Sequence, residues 1–213
     1  MRQALIAEVS EKRTRRSLLQ NVLLVSGFGG ILFISTFVVL GVLAPNYDPL
    51  RQTISALEFT TLSSAQRLNF FVFGLLLCTF AAALRLELAP GRGAWLIPFF
   101  QSLTGIGVIG DAIFIYEPLH LICDLIAFNS SLVVLFLFAW RFRFEGNWKG
   151  WSVYSILSAV AMMAFLAAFG FETHLGGPAG LMEKLASATR TIWSVAFTIR
   201  LFTGATFETP STP

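Results

Sequence analysis

An apolar stretch near the middle of the chain contains the ionisable side chains that are the first candidates for chemistry. Asp111, Glu117, His120 and Asp124 lie in or beside runs of aliphatic and aromatic residues. Ionisable groups are costly in lipid, so they usually face the interior of a helix bundle and mark a functional or pairing site. His120 and Asp124 are spaced to lie on one helical face. Asp111, His120 and Asp124 are therefore the candidate site, whereas Glu117 is expected to be in water.

Arg190 extends this candidate site because it lies inside the last apolar segment. An arginine at that depth needs a carboxylate or carbonyl partner, or a path for its side chain to reach the interface. Asp111 and Asp124 are the acids at comparable depth, and a structural role predicts that Asp124 pairs with Arg190 and Asp111 with His120 or a backbone amide. Other candidates lie toward the same end of the predicted bundle: Arg51, Arg67 and His174.

The composition is that of a chain surrounded mostly by lipid. Of 213 residues, 55% are hydrophobic and 13% are charged, and the mean hydropathy is +0.72, whereas soluble domains carry about 25% charged residues. The length suits one helical bundle. No basic patch is interleaved with aromatic residues, which argues against a nucleic-acid partner. Cys78 and Cys123 lie in apolar segments and form no C-x-x-C pair, so both are expected to be buried thiols.

Six apolar segments are each long enough to cross a membrane as a helix, which needs about 20 residues. They span residues 21–44, 65–88, 94–115, 119–140, 151–172 and 182–203. The sequence therefore predicts an all-α, multi-pass transmembrane bundle, because barrel strands are shorter and alternate in polarity. The expected domain covers 21–204 and includes an external loop at 45–64. A basic amphipathic tail is expected at 1–20, and a disordered tail at 205–213.

The distribution of lysine and arginine predicts the orientation of this bundle. If the N-terminus is cytoplasmic, most of the 15 Lys and Arg residues lie on the cytoplasmic side, as the positive-inside rule requires. Both termini are then cytoplasmic, and the candidate site lies toward the opposite face. In the external loop, Asp48-Pro49 predicts the start of a short helix over 50–57. Ser63 to Gln66 has the spacing of a capping box at the start of the second span.

Several short motifs, in order along the chain, resemble those of the domain of unknown function 998 family of six-helix prokaryotic membrane proteins. The motifs are Pro45 to Leu57, Asn69 to Gly74, Gly107 with Asp111 and Leu119-His120, and Gly180 to Leu185 followed by Trp193 and Arg200-Leu201. The resemblance implies a six-span protein of the prokaryotic inner membrane, with functional positions at Asp111 and His120. The family's Ile-Ser-Glu-Leu is Ile54-Ser55-Ala56-Leu57 here, so its glutamate is missing.

Three functions fit these residues. Asp111, His120, Asp124 and His174 could hold a metal ion that activates water in an intramembrane hydrolase, although no H-E-x-x-H motif is present. Alternatively, an outward-facing pocket could bind or transport a lipid headgroup or small solute, with Arg51, Arg67 or Arg190 facing an anion and Asp111 or Asp124 facing a cation. In the third interpretation, the charges pair with one another and fix the helix arrangement of a structural or accessory subunit.

The sequence favours the structural interpretation, and therefore a protein without enzymatic activity. It predicts that Arg190→Leu misfolds, and that Asp124→Asn combined with Arg190→Gln is partly rescued. No cofactor is expected. Haem is disfavoured because the two histidines, His120 and His174, lie at the same predicted edge. The expected partners are the lipid bilayer and other membrane subunits or a second copy of the chain.

Overall fold

A computed structural model describes residues 18–88 and 91–207, which form α-helices joined by short loops. The helices are α1 (Leu18–Val25), α2 (Gly29–Leu43), α3 (Ser63–Glu87), α4 (Leu96–Ile113), α5 (Leu119–Phe142), α6 (Trp151–Leu175) and α7 (Ala179–Phe202). Within these ranges there is no strand, which confirms the predicted all-α class. The predicted N-terminal tail lies, up to residue 17, outside the described residues.

Five helical segments are long and apolar enough to cross a membrane. The first is α1 and α2 together, joined by a 3-10 turn at Ser26–Phe28, and the others are α3, α4, α5 and α6. The sixth predicted span corresponds to α7, whose 24 residues reach about 36 Å at ~1.5 Å per residue. Hydropathy does not mark α7 as a span because it carries Glu183, Lys184, Arg190 and Arg200. Glu183 and Arg190 are buried, so they face the bundle.

Consecutive helices pack side by side and form a ring. α4 lies between α3 and α5, α6 lies between α5 and α7, and α7 also contacts α2. One apolar core fills the interior around Phe138, Trp193 and Phe197. A second core fills the part of the bundle beneath the 45–62 loop, around Phe33 and Leu57. Large apolar side chains also cover the outside of the ring, as a lipid environment permits.

Glycines allow α4 to approach both of its neighbours closely. A Cβ on Gly105 would lie 2.7 Å from the Gly74 carbonyl oxygen of α3, and a Cβ on Gly74 would lie 2.7 Å from the Gly105 carbonyl oxygen. On the other side, a Cβ on Gly107 would lie 2.8 Å from the Cys123 carbonyl oxygen of α5. Small residues at such contacts are typical of membrane helix packing. These contacts fix the position of α4 and of the residues it carries.

At one end of the bundle, basic and aromatic residues cross-link the loops. Arg141 is 1% exposed; its guanidinium donates to the Leu88 carbonyl oxygen (3.2 Å) and lies 3.2 Å from the Glu145 carboxylate. Trp148 donates to the Thr206 carbonyl oxygen and stacks on Phe207, with ring centroids 4.8 Å apart. The ordered bundle therefore includes residues 205–207, which the sequence analysis assigned to the tail. Residues 208–213 of that tail lie outside the described residues.

The opposite end is closed by the loop between α2 and α3. The Asp48 carboxylate accepts hydrogen bonds from the amides of Leu50 and Arg51, as predicted for an N-cap. Only a single turn follows, and then a 3-10 helix at Ser55–Phe59, so the predicted helix over 50–57 was wrong. The predicted capping box was also wrong, because the Gln66 side chain is buried inside the bundle instead of bonding the Ser63 amide.

Candidate functional site

Three of the predicted site residues meet beneath this loop. Asp111 lies near the end of α4, and His120 and Asp124 lie in the first two turns of α5. The short connection between the two helices brings these turns side by side. One ligand atom from each of the three side chains lies within 4.8 Å of the other two. The structure therefore brings these three residues together.

Hydrogen bonding in the cluster is incomplete. His120 Nδ1 lies 2.9 Å from the Phe114 carbonyl oxygen, to which it donates. Its other nitrogen, Nε2, lies 3.6 Å from Asp124 Oδ2, which is too long for a hydrogen bond. Asp111 and His120 are only 2% and 7% exposed, and neither Asp111 Oδ1 nor His120 Nε2 has a hydrogen-bond partner among the described residues. Buried polar atoms in this state are unusual and call for an explanation.

Arg190 makes a different contact from the one predicted. Its Nη2 donates to Gln101 Oε1 of α4 at 2.6 Å, and no salt bridge to Asp124 occurs within residues 18–88 and 91–207. The predicted Asp124–Arg190 ion pair was wrong because a neutral amide from α4 occupies one side of the guanidinium. Arg190 is 8% exposed and its guanidinium lies over the Trp193 ring (5.1 Å to the centroid), but its Nε and Nη1 have no hydrogen-bond partner in the described part of the chain.

Arg190, Asp111 and Asp124 line one cavity of the bundle. The cavity has a volume of about 70 Å³, several times the about 10–15 Å³ that a single water molecule needs. Its polar wall combines side chains from three helices, α4, α5 and α7: Thr104, Asp111, Asp124, Ser131, Glu183, Ser187, Arg190 and Thr191. Phe33, Phe70, Phe73 and Leu77 of α2 and α3 form much of its apolar wall. Such a mixture of apolar wall and convergent polar groups is typical of small-molecule sites.

Two further buried polar residues, Glu183 and Gln101, shape this region and were not among the predicted site residues. Glu183 is 6% exposed, and its Oε2 accepts a hydrogen bond from the Ile54 amide at 2.8 Å, which ties α7 to the loop. Gln101 holds Arg190, and its Nε2 has no partner within the described ranges. The spacing of Glu183 and Arg190, about two helical turns, was a signal that both share one face of α7.

Other predicted site residues lie away from the cavity. Arg51 is on the exposed loop, with Nε 3.9 Å from Asp48 Oδ2. Arg67 lies at the start of α3, where its Nε donates to the Ala112 carbonyl oxygen at 2.9 Å. His174 is exposed at the end of α6 and is not part of the Asp111–His120–Asp124 cluster. Arg51 and His174 are therefore apart from the other candidates, whereas Arg67 contacts the backbone of α4 beside Asp111 without lining the cavity.

The loop contributes a buried glutamate next to the cluster. Glu58 is 3% exposed, and neither of its carboxylate oxygens has a partner among the residues described. Burial raises the pKa of Glu58 to about 7, an effect that the nearby charges of His120 and Arg67 reduce and that of Asp124 increases. Glu58 belongs to the same 3-10 helix as Ala56, the position at which related sequences are expected to carry glutamate.

The pKa of Glu58 predicts a pH dependence of stability. Because its pKa in the folded state lies above the ordinary value of 4.5, the folded protein holds a proton there that the unfolded protein has released. Stability should therefore fall as the pH rises from 4.5 to about 7. Glu58→Gln removes this decline. Thermal unfolding in detergent should therefore give a higher Tm for the variant than for the wild type at pH 8, and similar Tm values for the two proteins at pH 4.5. The exposed Glu117→Gln serves as control, and equal Tm differences at both pH values would contradict this assignment.

The chain matches the sequence model of one protein family. The sequence model of a family described as "Protein of unknown function (DUF998)" matches residues 28–200, which include every helix that lines the cavity. No curated protein and no solved structure matches the chain. Since the match covers most of the sequence, the chain belongs to the DUF998 family of membrane-type helical proteins, whose function is unknown.

Proposed function

We propose that this protein binds an anionic group, such as a phosphate or carboxylate of a lipid headgroup or small solute, in the cavity around Arg190. The observation that carries the proposal is the buried guanidinium, which has one hydrogen bond to Gln101 and two nitrogens without a partner among the described residues. A buried charge with unsatisfied hydrogen-bond donors is costly. An anion that accepts from Nε and Nη1 would supply the missing hydrogen bonds, for which the planar guanidinium is well suited.

The surroundings of Arg190 support an amphipathic ligand. Ser187 and Thr191 on α7 and Ser131 on α5 add hydroxyl groups to the cavity wall. The aromatic side chains of Phe33, Phe70 and Phe73 form an apolar wall beside them. A ligand with an anionic head and an apolar body would therefore meet complementary groups, which is the ordinary basis of specificity in such sites.

The arrangement of charges favours binding over a purely structural role. The structural interpretation relied on an Asp124–Arg190 ion pair, and Arg190 instead contacts the neutral Gln101. If these residues served only to fix the positions of the helices, we would expect their polar groups to be hydrogen-bonded to one another. A buried network in which some groups lack hydrogen bonds destabilises the fold. Several polar atoms in or beside this cavity have no hydrogen-bond partner in the described residues: Asp111 Oδ1, Arg190 Nε, Arg190 Nη1 and Gln101 Nε2.

We further propose six spans in the prokaryotic inner membrane, with both termini cytoplasmic and the cavity toward the outer face. This orientation is supported by the position of Arg85, Arg92, Arg141 and Arg200, which lie at the end of the bundle opposite the 45–62 loop. Single cysteines in a Cys78→Ser/Cys123→Ser background test it. A membrane-impermeant thiol reagent should label a cysteine placed at Thr60 in intact cells and leave one placed at Asn147 unlabelled; the reverse result would overturn the orientation.

Ligand-dependent thermal stability of the purified protein tests the binding proposal. A phosphate-headed lipid or inorganic phosphate should raise the Tm of the wild type, and the rise should be absent in Arg190→Gln. Arg51→Gln is the matched control, since Arg51 is exposed on the loop, and it should behave as the wild type. Stabilisation by the lipid alone would identify a headgroup as the source, and stabilisation by phosphate alone would identify a solute. No stabilisation by either, or equal stabilisation of Arg190→Gln, would overturn the proposal.

A further inference from the structure

We infer that Asp111, His120 and Asp124 form a binding site for one divalent transition-metal ion, with open coordination positions toward the Arg190 cavity. The three side chains come from two helices and converge on one point, with ligand atoms within 4.8 Å of one another. The site itself stands on this geometry. Its role as a second anchor for the anion rests on the proposed function.

The hydrogen bonding of His120 prepares the imidazole as a metal ligand. Donation from Nδ1 to the Phe114 carbonyl oxygen (2.9 Å) leaves the lone pair of the neutral ring on Nε2. Metal-binding histidines commonly donate their second nitrogen in this way, which fixes both the tautomer and the ring orientation. The Nε2 atom is buried and has no hydrogen-bond partner in the described residues.

The distance between His120 and Asp124 suits a shared cation better than a direct hydrogen bond. Nε2 and Oδ2 are 3.6 Å apart. In a tetrahedral zinc site, bonds of about 2.0–2.2 Å place neighbouring ligand atoms about 3.3–3.6 Å apart. The observed separation matches the edge of such a tetrahedron. A cation between the two atoms would also remove the repulsion between a carboxylate oxygen and an imidazole lone pair.

Asp111 supplies the third ligand. It is 2% exposed, and its Oδ1 is buried without a hydrogen-bond partner among the described residues. Closing the 4.8 Å spread of ligand atoms to a tetrahedral edge requires a carboxyl movement of about 1 Å. Two carboxylates and one imidazole suit zinc or a similar transition metal, whereas calcium and magnesium prefer oxygen ligands alone. Three protein ligands leave at least one position for another group.

That open position is directed to the proposed anion site. Asp111 and Asp124 line the same cavity as Arg190. An anionic oxygen in the cavity could therefore bind the metal ion on one side and the guanidinium on the other. The metal ion would also balance the negative charge of a cavity whose wall contains Asp111, Asp124 and Glu183 but only one arginine.

Zinc binding to the purified full-length chain tests the metal site. After dialysis against a chelator, the wild type should bind one Zn²⁺ per chain in an isothermal titration. Asp111→Asn, His120→Gln and Asp124→Asn should each weaken binding by at least about tenfold. His174→Asn is the matched control, because His174 lies exposed at the same end of the bundle outside the cluster, and it should bind as the wild type.

A second measurement avoids dependence on the folding of these variants. Electron paramagnetic resonance of the wild type loaded with Cu²⁺ should show coupling to one imidazole nitrogen. A folded wild type that binds no Zn²⁺, or one in which Cu²⁺ shows no nitrogen coupling, would overturn the metal site.

Phosphate affinity measured with and without Zn²⁺ tests whether the metal ion is a second anchor for the anion. Zn²⁺ should increase phosphate affinity in the wild type but not in Asp124→Asn, and Arg190→Gln should keep Zn²⁺ while losing phosphate. If Zn²⁺ binds but does not change phosphate affinity, the anchor role fails and the metal site stands. If Arg190→Gln keeps phosphate, the proposed anion site fails and the metal site again stands.

Discussion

Gly74→Ala is expected to destabilise the bundle by about 1–3 kcal/mol, the cost typical of overpacking a close contact. The added Cβ would lie 2.7 Å from the Gly105 carbonyl oxygen and 2.9 Å from the Ile109 amide nitrogen. Both atoms belong to the backbone of α4, so no side-chain rotation can relieve the clash. α3 and α4 must separate, and α4 carries Asp111 and Gln101 with it. Reversible unfolding in detergent, followed by circular dichroism, measures the loss.

Gly170→Ala is the matched control for this substitution. Gly170 is also a helical glycine, in α6, and a Cβ added there would have nothing within 4 Å. Alanine is favoured over glycine in a helix by about 1 kcal/mol, so this variant should be as stable as the wild type or more stable. If Gly74→Ala and Gly170→Ala unfold at the same temperature, the close packing of α3 against α4 is not a determinant of the fold.

Arg190→Leu is expected to abolish anion binding while leaving the protein folded, with a stability change within about 1 kcal/mol. The substitution removes a buried charge whose direct partner is the neutral Gln101. The variant leaves Gln101 Oε1 without its donor, which costs about 1–3 kcal/mol, but it also removes the desolvation cost of a buried charge, which offsets this loss. Size-exclusion chromatography and thermal unfolding report folding, and the phosphate titration reports binding.

The opposite outcome would support the structural interpretation drawn from the sequence. In that case Arg190→Leu would misfold, and Asp124→Asn combined with Arg190→Gln would be partly rescued because no carboxylate would be left without its cation. A double-mutant cycle over Arg190→Gln and Asp124→Asn decides between the two. If Arg190 binds an anion, the changes in unfolding free energy of the two single variants should nearly add up in the double variant. If Arg190 and Asp124 form an ion pair, the deviation from additivity should be well above the error of the measurement.

The helices could be predicted from sequence because lipid imposes long apolar segments. The predicted bounds 119–140 and 151–172 agree closely with α5 (Leu119–Phe142) and α6 (Trp151–Leu175). Helix-capping signals gave wrong predictions in and next to the loop between α2 and α3. There Ile54 bonds to Glu183 of α7, and Gln66 is drawn into the bundle. Such contacts depend on residues distant in the chain, so capping signals alone could not predict them.

The candidate site was predictable only in part. Asp111, His120 and Asp124 were found because charge in an apolar segment is costly, and because their spacing on two connected helix ends forces them together. The partner of Arg190 could not be predicted in this way. Only acidic side chains were considered as partners for the Arg190 charge. Gln101 is neutral, and it reaches Arg190 because close packing sets the position of α4.

The central claim is that Arg190 faces a bound anion, and a density map of the full-length protein in nanodiscs with a phosphate-headed lipid tests it most directly. If the anion binds there, the map should show density for a tetrahedral group within hydrogen-bond distance of Arg190 Nε and Nη1, with Nη2 still on Gln101. A map in which the guanidinium turns to the Asp124 carboxylate, with no density for an anion beside it, would contradict anion binding at Arg190.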